Sequence, residues 1–404
     1  MSVSFREISG GITAPQGFVA GSIFCGIKAT NEGRPDIAIV HSPQPTVAAG
    51  TFTTNRVKAA PVRVSSNHLR GADVRVIIAN SGNANACTGV NGIENAKRMT
   101  RAAAAALGLK ERQVLVCSTG RIGVPLPIEK MEESIRELTG RVDASGSRAA
   151  AEAIMTSDTF PKEVAVEIVV GGKTVRIGGI AKGAGMIDPN MATMLCFVTT
   201  DAVIAKEDLQ TMVSASVEHS FNRITVDGDM STNDTVLVLA NGVAGNERIQ
   251  PGTAGGDVFQ RALDFVTLTL AKMIVQDGEG VTKFVEVQVN GAASFSDARR
   301  AAEAIAKSVL VKCSWFGQDP NWGRILDAIG YSGARLREEL VDVYYGGLQA
   351  VKGGVVSKTP FERIREVVSQ KQFTVTVDLN LGDAEYNVFT TDLSTDYVVL
   401  NMGE

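Results

Sequence analysis

A chain with three histidines has few ways to activate a hydroxyl, and the segment KGAGMIDPNMATMLCF, from Lys182 to Phe197, offers one that uses none of them. Cutting the peptide bond before a Thr leaves a free α-amine beside the side-chain hydroxyl. Such an amine titrates at about 7.7–8.0, so a useful fraction is neutral near pH 7. It can take the hydroxyl proton, directly or through water. Gly183 and Gly185 tolerate strained backbone, and Pro189 stiffens the approach. Ala192 leaves its carbonyl accessible, and Thr193 opens an apolar strand that would hold a new N-terminus. Autolysis would begin with Thr193 Oγ1 attacking the Ala192 carbonyl carbon, and water would hydrolyse the resulting ester. The chemistry implied is acyl transfer through Thr193. Taken alone, a Gly-rich loop entering a buried strand explains the segment more simply, because Ala-Thr pairs are common.

Other chemistries fit less well. His41, His68 and His219 lie outside Gly-rich turns, so a Ser–His–Asp arrangement has no obvious base. Cys25, Cys87, Cys117, Cys196 and Cys313 are odd in number and contain no CxxC pair. Neither a disulfide framework nor a zinc site follows; buried free thiols in a reducing cytosol are expected. GGKT at Gly171–Thr174 ends like a phosphate-binding loop, but Glu167 stands where its first Gly belongs. Gly183-Ala184-Gly185 fails as a dinucleotide fingerprint because Asp188 stands where the third Gly belongs. No metal and no bound cofactor is implied. The net charge is −4 with mixed signs and no basic tract, which argues against nucleic acid and anionic membranes as partners. No run of about 18 apolar residues appears. The N-terminal MSVSFREISGGITAPQGF lacks a basic patch followed by an apolar run, so a cytoplasmic protein is expected.

The elements that must position these residues mix strands and helices. At 404 residues the chain allows two or three domains or one large layered unit, and no linker marks a boundary cleanly. Residues 1–120 read mainly as strands, including Ile37–Val40 and Asp73–Asn80, with a helix from Ile93 to Leu107 stopping at Gly108. A buried strand, Gln113–Ser118, runs into Thr119-Gly120. Helices are predicted over Ile128–Leu138, Arg148–Met155, Lys206–Ser220 and Asp297–Val311. A further helix to Gln276 has Asp257 as its N-cap. Glu163–Val170 and Lys173–Ile180 form a hairpin around Gly171-Gly172. Phe284–Val289, Thr374–Leu379 and Tyr397–Leu400 read as strands. Without a strict βαβ rhythm, the pattern favours an α+β fold of packed layers.

Motifs spread along the chain give the local reading its context. KGAGMIDPNMATML closely resembles the autoprocessing segment of the ornithine acetyltransferase family, the bifunctional glutamate N-acetyltransferases of arginine biosynthesis. AGTFTTNRVKAAPV from Ala49, NSGNANACTG from Asn80, CSTGRIG from Cys117 and TSDTFPK from Thr156 match the same family in order. So do SFNRITVDGDMSTND from Ser220, DGEG from Asp277 and GQDPNWGRI from Gly317. The resemblance implies a self-processing α/β sandwich of the amino-terminal-nucleophile type. Met1–Ala192 would be the α chain and Thr193–Glu404 the β chain, co-folded and assembled as α2β2 or higher. By resemblance, Thr119 and Gly120 form the oxyanion hole, and Thr156, Lys182, Thr193, Glu279 and Asn401 contact substrate. Lys182 suits a carboxylate and Glu279 an ammonium. The Asp319–Arg324 stretch is expected to be structural, buttressing the site or an interface.

The implied reaction is a ping-pong acetyl transfer from N-acetylornithine to glutamate through acetyl-Thr193, with acetyl-CoA as a further donor in some members. An amidohydrolase or aminopeptidase with the same nucleophile, or an uncut binding protein, are the rivals. Two departures stand out. Met230 replaces a usual Thr, a change expected to be minor. The chain ends NMGE where the family usually runs on to an end like NADYRT, which is expected to bear on substrate specificity rather than on the chemistry.

Overall fold

The computed structural model describes residues 5–28, 33–71, 73–188 and 194–402, so Ala192 and Thr193 lie outside the described residues. The chain divides into two units. The first takes in most residues up to Ile274; the second runs from Val275 onward and adds residues 185–188 and 223–229. The boundary is thus crossed several times, which is why no single linker marks it in the sequence.

Two sheets face each other in the first unit. One runs in the order Phe5–Ile8, Lys162–Val170, Lys173–Lys182, Leu195–Thr200, Thr235–Ala240, Val47–Phe52. Its strands are antiparallel except for the parallel pair Leu195–Thr200 and Thr235–Ala240. The other runs Val19–Ile23, Ile37–His41, Val76–Asn83, Val114–Arg121, with the last pair parallel. Ile180, Leu195, Phe197 and Leu237 from the first sheet meet Val40, Ile77, Ala79 and Leu115 from the second in one apolar core. Helix Ser147–Ala153 adds Ala150 and Ala151 to it.

Strand alternation turns the next residues outward. Ile39, Ile78 and Val116 pack against Met99 of helix Gly89–Leu107 and Met131 and Ile135 of helix Ile128–Thr139. Helix Ala254–Gln276 lies across the other face of the six-stranded sheet; a Cβ at Gly179 would sit 3.0 Å from Leu270 Cδ1. Helix Lys206–Glu218 covers the edge strand Val47–Phe52, where Gln210 accepts from Gly50 N–H at 3.1 Å and donates to its C=O at 3.2 Å. The result is an α–β–β–α stack, the layered α+β class that the sequence pattern predicts.

The second unit has its own mixed sheet, in the order Val355–Val356, Leu348–Lys352, Asp342–Tyr345, Gln372–Asp378, Phe284–Ala292, Ala384–Thr391. Helices Phe295–Lys307 and Trp322–Tyr331 bury Ala301, Ile305, Ile325 and Ile329 with Val287, Val375 and Val388 of that sheet. Asn321 caps the second of these helices by accepting from Arg324 N–H at 3.3 Å, and Arg324 Nη1 donates to Leu310 O at 2.6 Å. The Asp319–Arg324 stretch thus has a structural role within its unit.

Several predicted elements differ. Tyr397–Leu400 is a helix, Thr395–Leu400, because Ser394 Oγ accepts from Tyr397 N–H at 3.2 Å and starts a turn that β-branched composition hides. Asp257 lies inside the helix Ala254–Gln276, and Thr253 Oγ1 accepts from Gly256 N–H at 3.1 Å at its start. The predicted helix Asp297–Val311 is broken at Ser308, whose Oγ caps a new helix, Val309–Phe316. Residues 60–68 form a helix that valines and serines disguise, with Pro61 in its first turn. All five cysteines are free, but Cys87 and Cys313 are exposed rather than buried. Cys87 sits in a left-handed loop position and Cys313 on an open helix face.

The hairpin at Gly171-Gly172 is as predicted, with both glycines at positive φ, 57° and 76°. Its second strand approaches the Gly11 carbonyl so closely that a Cβ at Gly178 would lie 1.8 Å from that oxygen. Gly178→Ala should therefore lower stability by about 3 kcal/mol. Urea unfolding checks this; an unchanged midpoint would contradict the close approach.

Candidate active site

The strand Val114–Arg121 carries Thr119 and Gly120 beside the parallel strand Val76–Asn83. Their register sets Gly82 opposite Gly120, and then Asn83 opposite both Thr119 and Arg121, a bulge that redirects the backbone. Gly120 has a φ of 128°. A Cβ there would lie 2.3 Å from the Gly82 carbonyl carbon and 2.5 Å from Asn83 N, so the position demands glycine. Buried amides hold the bulge. Ser118 Oγ donates to Asn80 Oδ1 at 2.6 Å, and Asn80 Nδ2 donates to Asn83 O at 2.9 Å. Asn233 Nδ2 donates to Ala84 O at 2.7 Å and to Ser118 O at 2.8 Å.

The six-stranded sheet brings Lys182 to the same place. Lys182 ends its strand opposite Leu195. Its buried Nζ donates to Thr156 Oγ1 at 2.7 Å and to Thr119 Oγ1 at 3.2 Å. An ammonium can only donate, so each hydroxyl oxygen accepts from it. The O–H protons of Thr119 and Thr156 are thereby left for another acceptor. That is the polarity needed to stabilise a developing oxyanion.

Asp158, which the sequence reading did not single out, ties these residues together. Its Oδ1 accepts from Lys162 Nζ at 2.7 Å and from Gly183 N–H at 2.7 Å. Its Oδ2 accepts from Thr156 N–H at 2.9 Å and lies 3.9 Å from Lys182 Nζ. One carboxylate thus fixes the backbone beside both Thr156 and Lys182. The side chains of Asp158 and Lys162 are wholly buried. Burial alone would raise the carboxyl, but Lys182, Lys162 and the Gly183 N–H outweigh it and hold Asp158 at about 2. The available signal was its place in TSDTFPK, four residues before a lysine.

Glu279 and Asn401 fall in the second unit. Asn401 Nδ2 donates to Glu279 Oε2 at 2.9 Å and to Tyr397 O at 2.9 Å. Gly185 passes so near Glu279 that a Cβ would sit 2.5 Å from Oε2. Residues 186–188 are held by carboxylates. Asp227 accepts from Met186 N–H at 2.6 Å and Ile187 N–H at 2.9 Å. Asp188 pairs with Lys307 at 2.8 Å; burial raises it to about 6 against the opposing pull of Lys307. Asp227 and Asp188 also went unassigned in the sequence, although both lie inside the motifs quoted above. Met194, just past the undescribed stretch, donates its N–H to Asp234 Oδ1 at 3.0 Å and accepts from Thr235 N–H at 3.1 Å. Among the described residues there is no group of three or more His, Cys, Asp and Glu side chains able to hold a metal, and no helix long and apolar enough to cross a membrane.

The Asp158 cluster generates a stability prediction. Its folded value, about 2, lies below the unfolded 3.8. The group therefore stabilises the fold above about pH 4 and loses that contribution as pH falls through about 2. Asp158→Asn, which leaves two buried ammonium groups without their carboxylate, should cost about 3–5 kcal/mol at pH 7. The urea midpoints of variant and parent should converge as pH is lowered from about 4 to about 2. A gap that stays constant with pH would contradict the assignment.

Residues 19–403 match the ArgJ family. The arginine biosynthesis bifunctional protein ArgJ of Symbiobacterium thermophilum is 49% identical over 98% of both chains. A glutamate N-acetyltransferase of Methanocaldococcus jannaschii is 47% identical, again over 98% of both. The crystal structure of the arginine biosynthesis bifunctional protein argJ from Bacillus halodurans superposes with a TM-score of 0.50 at 41% identity, covering 52% of this chain and 98% of that one. The strand-end cluster of Thr119, Gly120, Thr156 and Lys182 sits within a chain that the two sequence relatives match over 98% of its length, and the chain belongs to the ArgJ family.

Proposed function

We propose that this chain is a self-cleaving acetyltransferase of arginine biosynthesis that moves an acetyl group from N-acetylornithine to glutamate through Thr193. The observation that carries the reading is Lys182. It donates to the Thr119 and Thr156 hydroxyls and lies in register with Leu195, two residues beyond Thr193. Family membership and the names of the two relatives support the reaction. The Bacillus halodurans chain supports the cut: it matches a share of this chain equal to that of residues 193–404.

Cleavage between Ala192 and Thr193 would give the pieces Met1–Ala192 and Thr193–Glu404, which we take to stay together as one catalytic unit. Strands from both sides of the cut share a sheet. In the first half-reaction Thr193 Oγ1 attacks the acetyl carbonyl carbon of N-acetylornithine. The hydroxyl proton passes to the Thr193 α-amine and then to the departing ornithine nitrogen as the C–N bond breaks. In the second, the glutamate amine attacks the acetyl ester, the C–O bond breaks and Oγ1 regains a proton. Each tetrahedral oxyanion is assigned to the Thr119 hydroxyl and the Gly120 backbone N–H. Thr156 and Lys182 are assigned to substrate, with Lys182 facing its carboxylate. Glu279 and Asn401 are assigned to substrate by family resemblance, Glu279 toward an ammonium. We further propose an α2β2 or higher assembly acting in the cytoplasm, with acetyl-CoA as a second donor.

On a denaturing gel the protein should run as two bands, each about half the full-length mass. Thr193→Ala should run as one band and release no ornithine from N-acetylornithine. In the parent protein, sustained ornithine release should require glutamate. A single band in active protein would overturn the self-cleavage, and release indifferent to glutamate would point to a hydrolase.

A further inference from the structure

Lys28 is a charged side chain beside the strand-end cluster to which the reaction above gives no part. Asp36 fastens the loop that carries it. Oδ1 accepts from Cys25 N–H at 2.7 Å, Oδ2 from Ile27 N–H at 2.6 Å, and the Asp36 C=O from Ser81 N–H at 2.9 Å. Lys28 then crosses the backbone of Gly82. A Cβ on Gly82 would lie 2.7 Å from Lys28 Cγ and 3.1 Å from its N, so the glycine is what lets the lysine in. Gly82 is in turn the register partner of Gly120. The glycine that pairs with Gly120 at the bulge therefore also admits the loop residue Lys28 beside it.

Lys28 is half-buried, and among the described residues little satisfies its ammonium. Its one hydrogen bond is to Pro35 O at 3.4 Å, and it forms no ion pair among the described residues. The Asp36 carboxylate nearby already accepts two backbone N–H groups. Lys28 also lies within electrostatic reach of Lys182 and Asp158. Burial is the main influence and lowers Lys28 to about 8; Asp36 and Asp158 oppose this, while Lys182 and Arg34 add to it. A half-buried ammonium is stabilised when an anion arrives.

We propose that Lys28 is a second cation for the substrate's α-carboxylate, shared with Lys182, and that it selects free amino acids over amides and peptides. The inference rests on the acetyl-transfer reading, in which N-acetylornithine and glutamate each carry that carboxylate. An ammonium in the loop at Lys28 and another at the strand end of Lys182 would bracket a carboxylate from two directions. A blocked carboxamide offers them no charge and, by its N–H groups, adds donors where only acceptors are wanted.

The test uses the full, self-cleaved protein, N-acetylornithine and its α-carboxamide as donors, and the intact mass of the Thr193–Glu404 piece over time. In the parent protein the carboxylate donor should acetylate that piece far faster than the carboxamide. Lys28→Met should slow the carboxylate donor about tenfold or more while leaving the carboxamide rate within about twofold. Lys28→Arg should recover most of the loss. Complete self-cleavage of the variant shows that it has folded; Lys28→Gln repeats the comparison should the methionine variant not fold. Equal slowing of both donors, or no slowing, overturns the role of Lys28. Failure of the parent protein to become acetylated overturns the acetyl-transfer reading itself.

Discussion

A carboxylate buried between two lysines is the constraint on which the site depends. Asp158 meets Lys162 at 2.7 Å and faces Lys182 at 3.9 Å with no water-exposed side-chain surface of its own. Such an arrangement persists only if every charge is answered, because an orphaned buried charge costs about 3–5 kcal/mol. Satisfying Asp158 requires the N–H groups of Thr156 and Gly183 to converge on it. Lys182, held 3.9 Å from the same carboxylate, donates to the two threonine hydroxyls. The donor polarity of the site is thus a consequence of charge burial rather than of any single loop.

The layered fold supplies the convergence. The two facing sheets of the first unit share one apolar core, so the strand ends carrying Thr119 and Lys182 are held in fixed relation by Ile180, Leu195, Leu115 and their neighbours. Glycines then remove the remaining obstacles. Gly82 and Gly120 let two backbones and the Lys28 stem pass at distances that a methyl group would forbid. A small residue at these points is a requirement of close approach, and the bulge between the strands is the device that turns Thr119 toward Lys182.

Much of the framework was legible in the sequence because local rules produce it. Strands such as Ile37–His41 follow from β-branched runs, and the hairpin follows from Gly171-Gly172. Where local rules competed, the sequence misled: YVVL at Tyr397 has strand composition, but the Ser394 cap makes it helical. The candidate site was legible in a different way. Thr119, Gly120, Thr156 and Lys182 came from motif resemblance, and only Thr193 from a chemical argument about the segment itself. Asp158 and Lys28 escaped because their roles exist only through distant partners. Gly183 and Asp158 are separated by 25 positions, and Lys182 and Thr119 by 63. No composition or spacing rule reports that a particular carboxylate lies between two particular ammonium groups.

The central claim is that a threonine freed at a new N-terminus carries the acetyl group past this donor cluster. Its most direct test is to quench the protein with N-acetylornithine, digest it, and locate the acetyl group by fragmentation mass spectrometry. The account predicts an ester-linked acetyl on the hydroxyl of an N-terminal Thr193, released when glutamate is added before the quench. An acetyl group on Lys182 or another residue, or a Thr193 still joined to Ala192 in turning-over enzyme, would contradict it.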